Sequence, residues 1–237
     1  MSEGYGDQGG GQPPGGQPPV GETPQQQPAY QPPSEPPAYQ PAPATGDGAP
    51  SYPLTFSVEY PESLSRLLLF VKWLLLIPHL IILWALSYVA SVIALIAFFA
   101  ILFTKRYPRG LFDIYVGIRR WNLNAYAYGL EYMRDEYPPF SWDSGKYPVS
   151  FEVEYPEELS RFAPLYKWLL AIPHYIVLIF LVVAMLFVVI AAWFAILITG
   201  KFPQSWFRFV EGVLRWAERV NAYVYLLRDE YPPFSLT

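Results

Sequence analysis

The chain has 237 residues, of which 53% are hydrophobic, 18% aromatic and only 15% charged, too apolar a mix for a water-soluble domain that also carries a long polar tail. Its net charge of −4 belongs to that tail: residues 1–52 hold five acids and no Lys or Arg, and the remainder balances 16 basic against 15 acidic residues, scattered and paired, which excludes a nucleic-acid surface. Cysteine is absent, and with it disulfides, thiolate chemistry and Cys-containing zinc sites.

Residues 1–52 read "GGQPPGGQPP" and "QQQPAYQPPSEPPAYQPAP". So few aliphatic residues bury no core, and the composition predicts a disordered tail of polyproline II character. No positively charged stretch followed by an apolar one marks a signal peptide. The "PPAY" at Pro36 to Tyr39 is a candidate docking ligand for a protein partner, against the plainer reading of a solvated spacer.

Past the tail the chain repeats itself at an offset of 95. "VEYPESLSR" (Val58 to Arg66) returns as "VEYPEELSR" (Val153 to Arg161), "VKWLLLIPHLI" (Val71 to Ile81) as "YKWLLAIPHYI" (Tyr166 to Ile176), and "RDEYPPFS" (Arg134 to Ser141) as Arg228 to Ser235, one residue short of the offset. This divides the chain into a tail, repeat one (53–143) and repeat two (147–237), packed about a pseudo-twofold axis.

Each repeat opens on an alternating segment, Phe56, Val58 and Tyr60 or Phe151, Val153 and Tyr155, which has the period of a half-buried strand and ends at Tyr-Pro. An apolar run of 37 residues follows, Leu67 to Phe103 and Phe162 to Ile198, interrupted only by Lys72 and His79 or Lys167 and His174. As one helix it would be about 55 Å long, against about 30 Å of hydrocarbon. The choice is a single span after the proline or a hairpin turning at Ser87 to Ser91 and Val182 to Leu186. Basic residues at both ends of each run favour the hairpin, because both ends then stay in the cytoplasm. The expectation is four membrane helices, although the turn lacks Gly and Pro.

The arrangement makes Lys72 and Lys167 snorkelling anchors beside Trp73 and Trp168, with indoles at headgroup level. Arg66, Lys72 and His79, with Arg161, Lys167 and His174, become candidates for an anionic lipid headgroup. A competing reading makes the two histidines axial ligands of a haem or metal, but no second imidazole or acceptor is found in either repeat, so no cofactor and no metal is expected. After each run, Leu111, Tyr115, Ile118 and Trp121, and then Trp206, Phe209, Val213 and Trp216, predict an amphipathic helix that either lies on the inner leaflet, with Trp121 and Trp216 as interfacial anchors, or packs beneath the hairpins. "PPFSWDSGKYPVSFEVEY" predicts a turn at Asp143 to Lys146 and, with residues 55–60 and 233–236, a small cytoplasmic β-cap.

"YPESLSR", "VKWLLLIPHLI", "FTKRYPRGLFD", "RRWNLNAYAY" and "DEYPPF", duplicated behind a Pro- and Gly-rich tail, resemble the bacterial, largely actinobacterial, membrane proteins grouped as domain of unknown function 4389. Repeat two departs from repeat one at Gly200, Gln204 and Arg208, where repeat one has Lys105, Arg109 and Asp113. The resemblance implies a membrane protein and brings no activity with it.

The fold expected is therefore an all-α integral membrane protein of two tandem units, each a transmembrane hairpin plus an interfacial helix. No nucleophile with a base, no phosphate loop and no acid inside either apolar run points to an enzyme. The expected function is a multi-pass membrane scaffold or accessory protein that contacts anionic lipids, has cytoplasmic termini and docks a partner through its tail. The alternative is a small transporter or channel running between the repeats.

Overall fold

The computed structural model describes residues 52–237, so the predicted tail lies, apart from Tyr52, outside the described residues. Among them are five helices and two strands: β1 (Leu54–Val58), α1 (Leu68–Thr104), α2 (Arg109–Gly129), β2 (Val149–Val153), α3 (Ala163–Leu170), α4 (Ile172–Thr199) and α5 (Gln204–Val224).

The predicted hairpins do not form. α1 is one helix of 37 residues with Pro78 inside it, and α4 runs unbroken through Val182 to Leu186. With no Gly or Pro between His79 and Thr104, nothing in that stretch ends a helix. Ser87 and Ser91, expected at the turn, instead donate to the carbonyls of Trp84 and Ser87 on their own helix. The long helix of repeat two departs from that of repeat one at the proline: Pro173 sits in the first turn of α4, where its missing N–H is harmless, and the chain breaks there into α3 and α4. The result is two long apolar helices in place of four short ones, both long and apolar enough to cross a membrane.

Every third or fourth residue of α1 turns inward along its whole length: Leu69, Lys72, Leu76, His79 and Leu83, then, past the half-buried Leu86 and Ala90, Ile93, Ala97 and Ile101. Lys167, Ala171, His174, Leu178, Val189, Ala192 and Ile196 trace the same stripe through α3 and α4. The rest of each circumference is apolar and exposed, from Phe70 and Trp73 to Phe99 and Phe103, and from Ile176 to Ile198.

α2 and α5 are core helices, packed against the long helices and not laid on a leaflet with their tryptophans as anchors. From Tyr115 to Gly129 α2 is buried on nearly all sides, because α1 covers one flank and β2 another. Trp121 and Trp216, the expected interfacial anchors, are accordingly only 6% and 5% exposed, whereas Trp73 and Trp168 are 58% and 59% exposed. At its end α2 approaches α1 so closely that a Cβ on Gly129 would come within 2.6 Å of the Leu76 side chain.

β1 and β2 pair with each other, antiparallel, with Phe56 opposite Phe151. These two residues are repeat mates, so the pseudo-twofold axis passes between them, perpendicular to the strands. Leu54, Phe56 and Val58 and their mates turn inward, β1 against α5 and β2 against α2, and belong to one core with Ile93, Ala97, Ile101, Ala192 and Ile196 of the long helices. Residues 139–142 and 233–236 form no strand, so the expected cap reduces to this two-stranded ribbon.

The same axis relates the long helices, and they are antiparallel. The Leu64 N–H, just before α1, donates to the Gly200 carbonyl at the end of α4 (2.8 Å), and the Leu159 N–H, just before α3, donates to the Lys105 carbonyl at the end of α1 (2.8 Å). Tyr60 closes onto the Phe202 carbonyl and Tyr155 onto the Tyr107 carbonyl in the same reciprocal way. Rotation about the axis leaves height along it unchanged. Leu64 touches the rotation mate of Lys105, so the two ends of α1 stand at nearly equal height and α1 lies across the axis, as the strands do.

Candidate functional site

The polar residues of the apolar runs meet the "RDEYPPF" segments. Lys72 lies on the inward stripe of α1, fully buried, and its ammonium pairs with Asp135 Oδ1 at 2.7 Å and donates to the Arg134 carbonyl at 2.6 Å. The other Asp135 oxygen accepts from the Ser65 N–H, which fixes the chain entering α1, and the Tyr128 ring lies 5.3 Å from the ammonium. Repeat two builds the same group: Lys167 with Asp229 at 2.6 Å, the Arg228 carbonyl at 2.6 Å, Ser160 N–H on Asp229 and the Tyr223 ring at 4.8 Å. Neither ammonium reaches the surface, so the expectation of two snorkelling anchors is corrected: the lysines face the protein because their partners do.

Two helical turns further on, His79 Nδ1 accepts from the Trp121 indole at 2.9 Å, and its ring stacks on Phe140 at 4.1 Å, within 10° of parallel. His174 repeats this with Trp216 at 3.1 Å and Phe234 at 3.9 Å. Both imidazoles are fully buried and each is held within its own repeat, so the structure does not bring them together as a ligand pair. With Nδ1 accepting, the neutral ring carries its proton on Nε2, which has no hydrogen-bond partner in either repeat. Among the described residues no group of three His, Asp or Glu could hold a metal.

The remaining letters of the segment have work of their own. Arg134 donates to the Glu59 carbonyl at 2.7 Å and pairs with Glu136 at 2.6 Å; Arg228 does so with Glu154 and Glu230. The Tyr137 hydroxyl reaches the Leu75 carbonyl, next to the one Pro78 leaves without an N–H, and Tyr231 reaches Leu170. Each "KWLLxIPH" is thus clasped by the "RDEYPPF" of its own repeat through an ion pair, a kink hydroxyl and a stacked ring. The arrangement locks a helix in place.

Of the other candidates, Arg66 and Arg161 are exposed; Arg66 donates to the Ile198 carbonyl at 3.0 Å. Sequence reasoning expected Asp135 and Asp229 to cap or form salt bridges, as they do, but did not pair them with the lysines, and it missed Phe140 and Phe234, although their exact return in repeat two was a usable signal. It also missed Glu131, which lies where repeat two is one residue shorter. Burial pushes its carboxyl up to about 8, and Oε2 has no partner.

Comparison with known proteins agrees with this two-copy construction. No curated protein and no solved structure matches the chain. One family model does, twice, over residues 66–141 and 161–235, each match running from the arginine before the long helix to the end of the clasp. The chain belongs to that family, the domain of unknown function DUF4389, and carries it in duplicate.

Proposed function

We propose that the protein is a non-catalytic membrane platform. α1 and α4 lie side-on in one leaflet, α2, α5 and the ribbon stand on its cytoplasmic side, and the tail offers a docking segment to a protein partner. The observation that carries this is the inward stripe. It attaches one face of each long helix to the body from end to end and leaves the other face apolar, without an exposed charge between Leu68 and Thr104 or between Ile172 and Thr199.

Two physical arguments favour lying over crossing. To span about 30 Å, a helix of about 55 Å must tilt by nearly 60°, beyond the range that membrane helices occupy. Upright crossing also needs the pseudo-twofold axis in the membrane plane at mid-depth. The ribbon sits on that axis, and Glu59, Glu152 and Glu154 are exposed on or beside it, so they would enter the hydrocarbon at about 2.5 kcal/mol or more each. With the axis along the membrane normal, the same acids stay in water. The basic residues at both ends of α1, Arg66 and Lys105 with Arg106, then share the cytoplasmic face.

Antiparallel copies are also the form that inverted-repeat transporters take, and this observation favours the second reading. Its path would need polar groups free to meet a solute. Lys72, Lys167 and the histidines are engaged inside their own repeats, and Ser87 and Ser91 bond their own helix.

Single cysteines at Ser63 and Arg106, near the two ends of α1, separate the readings in a chain without native cysteine. Side-on insertion from the cytoplasm protects both from an impermeant reagent in intact cells, and both label after permeabilisation. Labelling of one end alone places the ends on opposite sides, overturns the platform and puts the transporter ahead.

A further inference from the structure

The copies are least alike where the long helices end. α4 ends on Gly200 at φ 73°, the residue type that a left-handed cap favours, but α1 ends on Lys105 at φ 61°. A side chain in that region is disfavoured, so a lysine there calls for a reason outside the backbone. The basic residues around it point the same way: Lys105, Arg106 and Arg109 stand where repeat two has Gly200, Lys201 and Gln204.

The hydrogen bond from the Leu159 N–H to the Lys105 carbonyl brings the start of repeat two against this end. Lys105 and Arg161 line an open cleft of about 670 Å3 there, with Glu158, Leu159, Ser160 and Phe162. Among the described residues neither the Lys105 ammonium nor the Arg161 guanidinium has a hydrogen bond or ion pair. At the other end Arg66, the mate of Arg161, is engaged by the Ile198 carbonyl, and Gly200 offers no side chain. Phe162, the apolar aromatic in its lining, is 63% exposed.

We propose that this cleft is a phosphate site, one per molecule, in which Lys105 and Arg161 grip the phosphate of an anionic phospholipid headgroup. Glu158 is left to accept from the headgroup's hydroxyl groups. A free phosphate ester shares the chemistry. The proposal rests on the side-on reading only in that this places the helix end at headgroup level.

The test titrates the full chain in non-ionic micelles with short-chain phosphatidylglycerol, phosphatidylcholine and glycerol phosphate, counting bound lipid by native mass spectrometry. Lys105→Gly with Arg161→Gln, which restores the residue that repeat two tolerates, weakens phosphatidylglycerol binding by about tenfold or more, whereas Arg66→Gln with Lys201→Gln, equal in charge, changes it less than about twofold. Arg161→Glu alone gives the same answer if the double variant elutes as aggregate. Displacement of lipid by glycerol phosphate identifies a free ester as ligand; no displacement identifies the lipid. Equal loss in both double variants, no loss in either, or equal binding of phosphatidylcholine overturns the site. Extraction of the wild type from membranes by carbonate would defeat the side-on reading and leave the titration to decide the cleft.

Discussion

At the scale of single residues, the lysines and histidines of the apolar runs are polar because of what they face inside. Lys72 is fully buried and its partner Asp135 is about a quarter exposed, so their attraction is only partly screened. Asp135→Asn strands the ammonium and lowers stability by about 3 kcal/mol, while Lys72→Met with Asp135→Leu recovers most of it. Thermal melts of the two variants in one detergent check the pair, and equal losses would show that the charge is not what matters. Glu131 gives a pH signature. Burial raises its folded pKa from an ordinary 4.5 to about 8, so between these values the folded chain holds a proton that the unfolded chain has released. Stability therefore falls as pH rises from about 4.5 to about 8 and levels off above. Glu131→Gln, which keeps the shape and removes the titration, flattens that slope and melts higher than wild type at pH 8; an unchanged slope would place the titration elsewhere.

At the scale of elements, one stripe on each long helix separates the face that folds the protein from the apolar face left exposed. Leu83 is 4% exposed and touches Trp121, Ala125 and their neighbours, whereas Ile82 beside it is 38% exposed. Leu83→Ala destabilises by about 2–4 kcal/mol, and Ile82→Ala by less than about 1 kcal/mol, in a denaturant titration of the solubilised protein. The sequence displayed the apolar runs, the strand before each and the helix after each. It hid which side of the run turned inward, because a helix apolar all round offers no polar face to read, and the partner of Lys72 lies 63 residues further on. The four-helix expectation failed for a related reason. The basic residues at both ends of each run were allowed to impose a turn on a stretch with no turn-forming residue, where backbone propensity continues the helix. Between a leaflet and a packed position for α2 and α5 the sequence left the choice open, and the packed position forms because each helix has a second apolar side, which receives β2 or β1.

At the scale of the whole molecule, the 95-residue offset made the duplication and its pseudo-twofold axis plain, but a repeat in sequence does not state whether its copies run parallel or antiparallel. Reciprocal bonds between the copies decide it. Among the described residues β1 has only β2 to pair with, and a lone strand has no stability in water. Each long helix ends on a carbonyl bonded by the other copy, and Arg119 of α2 pairs with Glu218 of α5. Neither copy therefore completes its own core, and the fold is a dimer written into one chain. The join is a turn at residues 143–146, where Gly145 has a φ of 73° and nothing within 4 Å of a Cβ, so a break there removes no packing. Residues 1–144 and 145–237, coexpressed as separate chains, assemble and copurify after detergent extraction, while either alone is degraded. The proline-rich tail stays with the first piece, which makes it a convenient handle for the purification. If the first piece alone proved stable and monodisperse, the ribbon and the reciprocal caps would be accessories to two independent units, and the antiparallel pair would lose its role in holding the helices across the axis.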